Sequence, residues 1–264
     1  ILKSPRDIFS DKKENRISLP IVRNNKNISI ISIGEGCLNS CTFCATKLAR
    51  GVLKSYRIGD IKRELEKSVN DGCKIIYLTS QDNGCYGFDI KTNLPELLNE
   101  LASVNGNYKI RIGMMNPWHL RKIKSSILKS FENPKIQKFI HIPVQSGSGK
   151  VLKDMKRIHT VEEFREFVKL FREKFPREKF PESTIATDII AGFPTETNED
   201  FNQTIKLIRE IKPEVLNISA FSSRPGTRAS KLKQLPSEIV KERTKILNEL
   251  YNSYRPNISL KIVY

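Results

Sequence analysis

Three cysteines lie within eight positions of the segment GEGCLNSCTFCATKLARG, which covers residues 34–51. They are Cys37, Cys41 and Cys44, and no fourth cysteine lies nearby. Three thiolates on one loop suit three irons of a cubane iron–sulfur cluster and leave the fourth iron without a protein ligand. An open iron of this kind can bind a small molecule directly. The spacing therefore predicts a [4Fe-4S] cluster with these three cysteines as metal ligands.

Two alternatives to a cluster are a structural zinc ion and three unrelated, packed cysteines. Structural zinc is almost always held by four ligands, and the three histidines of the chain are scattered. Cys73 falls in a helical pattern, where packing is expected, and Cys85 follows a predicted strand and is not assigned as a ligand. Since the total of five is odd and no secretory signal is present, a disulfide framework is not expected.

Composition limits the number of domains and the class of partner. With 264 residues and 38% hydrophobic content, the chain can bury one sizeable core. Lys and Arg number 46 against 29 Asp and Glu, which gives a formal charge of +17. Such an excess predicts a polyanionic partner, with nucleic acid first, although a lysine-rich background without a partner is the alternative.

The ends of the sequence bear on localisation and on domain boundaries. No stretch approaches the roughly 20 apolar residues that span a membrane, and the amino-terminal segment has no apolar signal core. These features predict a cytoplasmic protein with no membrane partner. Because the sequence opens on Ile1 inside a polar segment, a fragment of a longer protein is expected. We expect an extension at 1–27, one main domain at 28–256 and a tail at 257–264.

Six short, mostly apolar runs alternate with amphipathic helical patterns. The runs begin at Ile28, Ile75, Lys109, Phe139, Thr184 and Val215. Runs that are apolar on both faces are typical of parallel strands covered on both sides. Apolar residues recur at helical spacing between and after them, at Phe164, Phe167, Val168 and Phe171, at Phe201, Ile205 and Ile208, and at Ile239, Ile246, Leu250 and Tyr251. Six units fall short of the eight of a closed barrel, so an α/β fold with an open, three-quarter (β/α)6 TIM-like barrel is expected.

Polar or glycine-containing segments follow every predicted strand. The three cysteines follow the first strand, and SQDNGCYG, MNP, QSGSG, GFPTET and SSRPGTR follow the others in order. In barrels of this class, the chemistry lies in the loops at the carboxyl ends of the strands. The pattern therefore predicts that all six segments meet at one rim.

The cysteine spacing, with Phe43 just before the third cysteine, resembles that of the radical S-adenosylmethionine (SAM) superfamily. The segments GCLNSCTFCATKLARG, LTSQDNGCYG, HIPVQSGS, VLKDMKR, TDIIAGFPTET and FSSRPGT together resemble its methylthiotransferases. Within that family, TKLARG and TSQDNG resemble the archaeal and eukaryotic branch that acts on threonylcarbamoyladenosine in tRNA. The resemblance runs in order from about Leu19 to Tyr254.

The resemblance implies a catalytic domain that uses a [4Fe-4S] cluster, SAM and an external electron donor. It implies addition of a methylthio group to C2 of N6-threonylcarbamoyladenosine, next to the anticodon of tRNA, through a 5'-deoxyadenosyl radical. The family also carries an amino-terminal domain with a second [4Fe-4S] cluster and a carboxyl-terminal RNA-binding β-barrel. Neither is matched in this sequence, so the resemblance is to the catalytic core alone.

The resemblance also implies cofactor-binding residues, which are Phe43, Ser80, Gln81, Asp82, Gln145, Arg157, Asp188, Gly192 and Phe193. The residues after the second strand would accept hydrogen bonds from the SAM amine, and Arg157 would bind its carboxylate. Asp188 would hold the ribose, while Gly192 and Phe193 would admit and stack the adenine. Each assignment has an alternative. Ser80, Gln81 and Asp82 could cap the end of their strand, and Arg157 could be a solvated charge. Thr195 or Thr197 could cap the helix that follows Gly192 and Phe193.

Basic residues near the predicted rim are candidates for RNA binding, with surface solvation as the alternative. They are Arg50, Lys54, Arg224 and Arg228. The anticodon stem-loop of tRNA would be their partner. The sequence leaves two rival functions open. One is methylthiolation of an aspartate in a ribosomal protein, and the other is a non-enzymatic metal-binding module that binds RNA.

Overall fold

The computed structural model describes Ile17, Arg23 and residues 25–255. The expected tail and most of the expected extension lie outside these residues. The described strands are β1 (Ile28–Ser32), β2 (Gly34–Glu35), β3 (Lys54–Ser55), β4 (Ile75–Thr79), β5 (Lys109–Ile112), β6 (Phe139–His141), β7 (Thr184–Ala191) and β8 (Val215–Ala220). The helices are α1 (Thr46–Arg50), α2 (Ile58–Asn70), α3 (Leu94–Ala102), α4 (Pro117–Ser130), α5 (Gly149–Asp154), α6 (Val161–Lys174), α7 (Asn198–Ile211) and α8 (Ser237–Tyr254). Short 3₁₀ turns cover Asn83–Cys85 and Ala229–Lys231.

Six parallel strands follow one another in a partial barrel. β1, β4 and β5 form one parallel sheet, and β6, β7 and β8 form a second. The isolated parallel bridge between Ile110 and Ile136 joins the two sheets, and Met115 N donates to His141 O at 2.8 Å. Among the described strands, β1 and β8 do not pair with each other. The predicted open (β/α)6 barrel is confirmed, and each of the six predicted runs begins where its strand begins.

A feature that the sequence pattern did not predict is a two-residue antiparallel pair that brackets the cysteine loop. β2 pairs with β3 through Gly34 with Ser55 and Glu35 with Lys54. Gly36 has φ +70°, and a Cβ there would lie 2.0 Å from Val52 O. Only glycine fits this crossing. The pair is too short to give a periodic signal, yet it closes the base of the loop that carries the three cysteines.

The main core fills the space between the barrel and its helices. The predicted apolar face of α6 is confirmed, because Phe164, Phe167, Val168 and Phe171 are all buried there. The predicted face of α8 is only partly correct, since Ile246 is 38% exposed. Arg243 and Leu247 are the buried residues of α8. The apolar spacing failed here because the helix packs an arginine, not a hydrophobic residue, against the loop after β7.

A buried ion pair fixes α8 on the loop that follows β7. Arg243 Nη1 donates to Glu196 Oε2 at 2.8 Å and to Glu196 O at 3.0 Å. Glu196 Oε2 also accepts the amide of Gly192 at 2.8 Å. The side chains of Arg243 and Glu196 are 6% and 1% exposed.

None of the described helices is long and apolar enough to span a membrane.

We expect Arg243→Met to destabilise the protein by about 3–5 kcal/mol, because it leaves the buried carboxylate of Glu196 without its cation. Urea unfolding of the 264-residue chain measures the change. The double variant Glu196→Gln/Arg243→Met should recover part of the loss, since neither charge then remains buried. Lys245→Met is the matched control, because its side chain is 77% exposed. A loss below about 1 kcal/mol for Arg243→Met would contradict the prediction.

Candidate functional site

The middle of the cysteine loop is anchored to two distant elements through Thr42. Its amide donates to Met155 O at 3.0 Å, and its hydroxyl donates to Asp154 O at 2.9 Å, at the end of α5. Ala229 N, in the turn after β8, donates to Thr42 O at 2.9 Å. The loop leaves β1 and is held against the segments that follow β6 and β8. Its three cysteines therefore lie at the rim of the barrel, as predicted.

Each of the three sulfurs accepts a hydrogen bond. The amide and Nδ2 of Asn39 each lie 3.4 Å from Cys37 Sγ. Arg157 Nη1 lies 3.8 Å from Cys41 Sγ, and the amide of Thr46 lies 3.4 Å from Cys44 Sγ. Hydrogen bonds to sulfur favour the thiolate. Burial raises the pKa of the Cys37 thiol, and the bonds from Asn39 act against that rise.

The spacing of the sulfurs bears on the kind of metal group. Within residues 25–255, one group of His, Cys, Asp and Glu side chains has all its ligand atoms within 4.8 Å of one another, and it comprises Asp82, Cys85 and His119. Cys37, Cys41 and Cys44 do not form such a group. A single zinc ion needs its sulfur ligands about 4 Å apart, since each Zn–S bond is about 2.3 Å. The three sulfurs are therefore not all gathered as the ligands of one zinc ion would be, which favours a multi-iron cluster.

The remaining two cysteines, Cys73 and Cys85, are buried and have structural roles. Cys73 is 1% exposed in the main core, which confirms that it packs. Cys85 is completely buried, and its thiol donates to Asp82 O at 3.2 Å. Burial raises the pKa of the Cys85 thiol far above its usual value. It therefore remains a thiol, and all five cysteines of the chain are free of disulfides.

Asp82 lies at the centre of a network that joins three segments. Its Oδ1 accepts the amides of Gly84 and Asn116, both at 3.0 Å. Its Oδ2 accepts Asn39 Nδ2 at 2.7 Å, and His119 Nε2 lies 3.4 Å away. The carboxylate thus connects the end of β4, the start of α4 and the cysteine loop. Its assigned contact with the SAM amine stays a prediction, and the bonds within the protein show a second, positioning role.

The protonation states of this network follow from burial. Burial raises the pKa of Asp82 to about 6, although the backbone amide of Asn116 and the side chain of Asn39 oppose the rise. Burial lowers the pKa of His119 to about 3. At neutral pH the carboxylate is charged and the imidazole is neutral. The 3.4 Å contact between them is therefore not an ion pair, and the hydrogen-bond partner of His119 Nε2 is Asn39 Oδ1 at 3.2 Å.

Two predicted cofactor residues carry buried acceptors without a partner. Gln81 Oε1 and Gln145 Oε1 form no hydrogen bond in the described part of the chain. Gln145 also has φ +75°, a left-handed conformation that costs a non-glycine residue about 1 kcal/mol or more. The backbone amide of Gln145 donates to Asp188 O at 2.8 Å. Unsatisfied acceptors after β4 and β6, with backbone strain at Gln145, indicate a place for a ligand with hydrogen-bond donors.

Three further predicted residues lie around the same rim. Arg157 Nη2 donates to Pro143 O at 2.5 Å, while its Nε is buried and has no partner among the described residues. Asp188 Oδ1 lies 2.8 Å from His141 Nε2 and accepts Asn217 Nδ2 at 2.7 Å. Phe43 is half-buried. These contacts bring Arg157 beside the cysteine loop and place Asp188 between β6 and β8.

The loop after β7 differs from its expected role. Phe193 is completely buried beside Met155 and makes an edge-to-face contact with Phe221, with 5.5 Å between the ring centroids. The ring therefore presents no free face for stacking on adenine. Gly192 has φ +77°, and a Cβ there would lie 2.7 Å from Val240 Cγ2, so this glycine makes room for α8. The expectation overlooked packing of a helix against this turn.

Capping accounts for two of the open alternatives. Ser80 Oγ accepts the amide of Asp82 at 3.2 Å, so Ser80 caps the strand end whatever else it binds. Thr197 caps α7 with a reciprocal bond to Asp200, which confirms one of the two predicted capping threonines. Thr195 instead donates to Asp154 Oδ2 at 2.6 Å. That bond ties the loop after β7 to α5.

The candidate RNA-binding residues are all on the surface. Arg50, Lys54, Arg224 and Arg228 are exposed. The turn that contains Arg224 lies close to α1, since a Cβ on Gly226 would lie 3.1 Å from Leu48 Cδ1. Two of the predicted basic segments thus meet beside the cysteine loop. Their contact with RNA stays a prediction.

Sequence reasoning missed several polar residues that hold the site. Asn39 Oδ1 accepts Trp118 Nε1 at 2.8 Å and lies 3.2 Å from His119 Nε2, so it joins the cysteine loop to α4. Its position between two cysteines was the available signal. His141 and Asn217 flank Asp188 from the neighbouring strands. Their polar side chains inside apolar runs could have identified them.

Comparison with known proteins places this geometry in a family. The model of the Radical SAM superfamily matches residues 31–208. A human protein named threonylcarbamoyladenosine tRNA methylthiotransferase is 44% identical over 257 residues, with coverage of 94% of this chain and 44% of its own length. A Pyrococcus horikoshii protein, "Probable threonylcarbamoyladenosine tRNA methylthiotransferase", is 46% identical over 241 residues, covering 90% and 56%. The chain thus spans about half the length of these curated relatives.

Solved structures agree on the fold. The radical S-adenosylmethionine methyltransferase TsrM from Kitasatospora setae superposes with a TM-score of 0.62 at 14% identity, covering 77% of this chain and 38% of its own. Coproporphyrinogen III oxidase (HemN) from Escherichia coli, described as a radical SAM enzyme, gives 0.57 at 19% identity, covering 84% and 52%. Given the matched model, the partial barrel and the three-cysteine loop at its rim, the chain belongs to the radical SAM superfamily.

Proposed function

We propose that this chain is the catalytic core of a tRNA methylthiotransferase that adds a methylthio group to C2 of N6-threonylcarbamoyladenosine, next to the anticodon. The observation that carries the proposal is the loop of three thiols at the same rim as the buried, unpartnered acceptors that follow β4 and β6. The substrate class comes from the names of relatives at 44–46% identity. Those names favour tRNA over a ribosomal protein, and family membership favours an enzyme over a non-enzymatic module.

The residues at the rim fit a [4Fe-4S] cluster and SAM. Cys37, Cys41 and Cys44 would ligate three irons, since their sulfurs are not all gathered around a single-ion site. Gln81 and Gln145 offer unpartnered oxygens to an amine or hydroxyl donor, and a bound ligand would remove the cost of leaving them unpaired. Together the reduced cluster and SAM would supply a 5'-deoxyadenosyl radical for removal of a hydrogen atom from the substrate.

The protein's own contribution is to position and to shield. Arg157 would place a cation near Cys41 and offer its unpartnered Nε to a carboxylate. Oδ1 of Asp188 is already held by His141 and Asn217. The carboxylate of Asp188 would accept hydrogen bonds from ribose hydroxyls. The network centred on Asp82 would keep the cysteine loop at a fixed distance from α4. An external donor would deliver the electron.

Exposed basic residues beside the cysteine loop would receive the anticodon stem-loop of tRNA. The main domain expected at 28–256 would then be the catalytic unit. A second [4Fe-4S] cluster is expected on the amino-terminal domain of the family, and insertion of sulfur is assigned to that domain. The two cysteines beyond the three ligands, Cys73 and Cys85, are buried and are not candidates for a second cluster here.

The first test concerns the metal group. Anaerobically reconstituted chain should hold about four irons, because three thiolates serve a cubane cluster. SAM should change the electron paramagnetic resonance spectrum of the reduced cluster, because one iron has no protein ligand. Cys73→Ser is the matched control, since it removes a cysteine from the core and should keep the iron. Stoichiometric zinc without iron–sulfur absorbance would contradict the prediction.

The second test concerns SAM cleavage. Under strong reductant the chain should release 5'-deoxyadenosine slowly, and Cys41→Ala should abolish this release because it removes a cluster ligand. Chromatography of quenched reactions measures the product. Equal amounts from the wild-type and Cys41→Ala chains would exclude cleavage at this site.

The third test concerns RNA. Binding of an anticodon stem-loop should weaken steeply with salt, because each neutralised phosphate releases counterions. Arg224→Glu/Arg228→Glu should lower the affinity and flatten the salt dependence if these residues contact the backbone. Fluorescence anisotropy across a salt series gives both quantities. Lys169→Glu/Lys245→Glu is the control with the same change in charge, and equal effects in the two double variants would remove the arginines from the interface.

A further inference from the structure

A cavity of about 640 Å³ lies among α5, α6 and α7, and none of the three cysteines lines it. The segments that line it are the start of α5, the turn between α5 and α6, the first turn of α6 and the middle of α7. None of the three cysteines, Gln81, Gln145 or Asp188 lines it. We call it the outer cavity. Arg157 lines it as well as contacting Cys41 Sγ, but the other lining residues have no part in the proposed chemistry.

The lining of the outer cavity is strongly basic. Lys153 of α5, Lys156 of the turn and Lys206 of α7 are exposed cations that line it. Within residues 25–255, none of the three forms a salt bridge, whereas Arg165 at the same cavity is paired with Glu210 and Glu162. Three unpaired cations converging on one cavity attract an anion.

The first turn of α6 adds backbone donors. In the capping box of this 14-residue helix, Thr160 and Glu163 satisfy each other's amides. Val161 and Glu162 also line the cavity, and their amides precede the first intrahelical bonds of α6. The positive end of a helix dipole and free amides together favour an oxyanion such as phosphate.

A buried imidazole supplies independent evidence for a ligand. His159 lines the outer cavity and is 2% exposed, and the backbone of Val144 lies near enough to raise its pKa, yet neither ring nitrogen has a partner in good hydrogen-bond geometry in the described structure. Burial, with a contribution from the charge of Arg157, lowers the pKa of His159 to about 3, so the ring is neutral and carries one N–H donor. A buried polar group without a partner costs about 1–3 kcal/mol. A ligand that accepts a hydrogen bond would remove that cost.

We propose that the outer cavity binds a phosphate group, which Lys153, Lys156 and Lys206 attract and the α6 amides and His159 hold. An RNA backbone phosphate and a free phosphate compound share this chemistry. Assignment to the RNA backbone rests on the proposed function, whereas the phosphate site itself does not. The site would give RNA a second contact, apart from the arginines beside the cysteine loop.

Titration of the 264-residue chain with inorganic phosphate, followed by ³¹P NMR line broadening, tests the site. We expect saturable binding that weakens at least tenfold in Lys153→Glu/Lys206→Glu. Lys169→Glu/Lys245→Glu changes the charge equally away from the cavity and should leave the affinity within about twofold. Absence of saturable binding to the wild-type chain, or equal losses in both double variants, would overturn the site and leave the iron and 5'-deoxyadenosine tests unaffected.

His159→Phe separates a binding role from a structural one. Phenylalanine fills similar space without ring nitrogens, so the urea midpoint should be unchanged or higher, while phosphate binding should weaken several-fold. Unchanged phosphate affinity in a folded His159→Phe chain would overturn the assignment of the imidazole. A large loss of stability, with unchanged phosphate affinity of the protein that remains folded, would also overturn this assignment. It would show that the ring of His159 only packs.

The source of the phosphate is tested with an anticodon stem-loop in the same variants. If RNA supplies it, Lys153→Glu/Lys206→Glu should weaken stem-loop binding and reduce the slope of log affinity against log salt by about one for each lost contact. If these variants lose inorganic phosphate but bind the stem-loop as the Lys169→Glu/Lys245→Glu control does, the RNA assignment is overturned and a small phosphate compound is the ligand.

Discussion

The buried carboxylate of Asp82 fixes the position of the cysteine loop, on which the rest of the site depends. The loop has little secondary structure of its own, so its position relative to the barrel must come from tertiary bonds. Asp82 reaches Asn39 in the loop, Gly84 in its own turn and Asn116 at the start of α4. One side chain thus ties two strand ends to the cysteines. An isolated carboxylate buried in this way would be costly, and its several hydrogen bonds offset that cost.

The opposite side of the loop is fixed by backbone bonds. Thr42 accepts Ala229 N and donates to carbonyls at the end of α5, so the loop bridges from the first strands of the barrel to the last. The loop therefore spans the open rim instead of hanging from one strand. An open barrel has no complete ring of strand pairs, and these bonds across the rim supply part of the missing closure. Displacement of α5 would move the cysteines and Arg157 together.

Sequence patterns predicted the barrel well and its fine structure less well. The six strands were visible because a strand buried on both faces is a continuous apolar run. The β2–β3 pair was not visible, since two residues give no period. The cysteines were identified because metal ligands need a definite residue type at a definite spacing. The role of Phe193 was misjudged because the sequence does not distinguish an aromatic ring that faces a ligand from one that packs inside the protein. The contacts of Phe193 with Met155 and Phe221 show that its ring packs.

Unsatisfied polar atoms show where the fold gives up stability for binding. Most of the buried side-chain atoms without a partner in the described residues lie at the rim or in the outer cavity, on Gln81, Asn83, Asn116, Gln145, Arg157 and His159. A fold selected only for stability would not concentrate such costs in one half of the molecule. Arg157 connects the two places, because it contacts Cys41 Sγ and also lines the outer cavity. The guanidinium of Arg157 therefore interacts with charges at the cysteine loop and in the outer cavity. An anion bound at one of these two sites changes the electrostatic potential at the other.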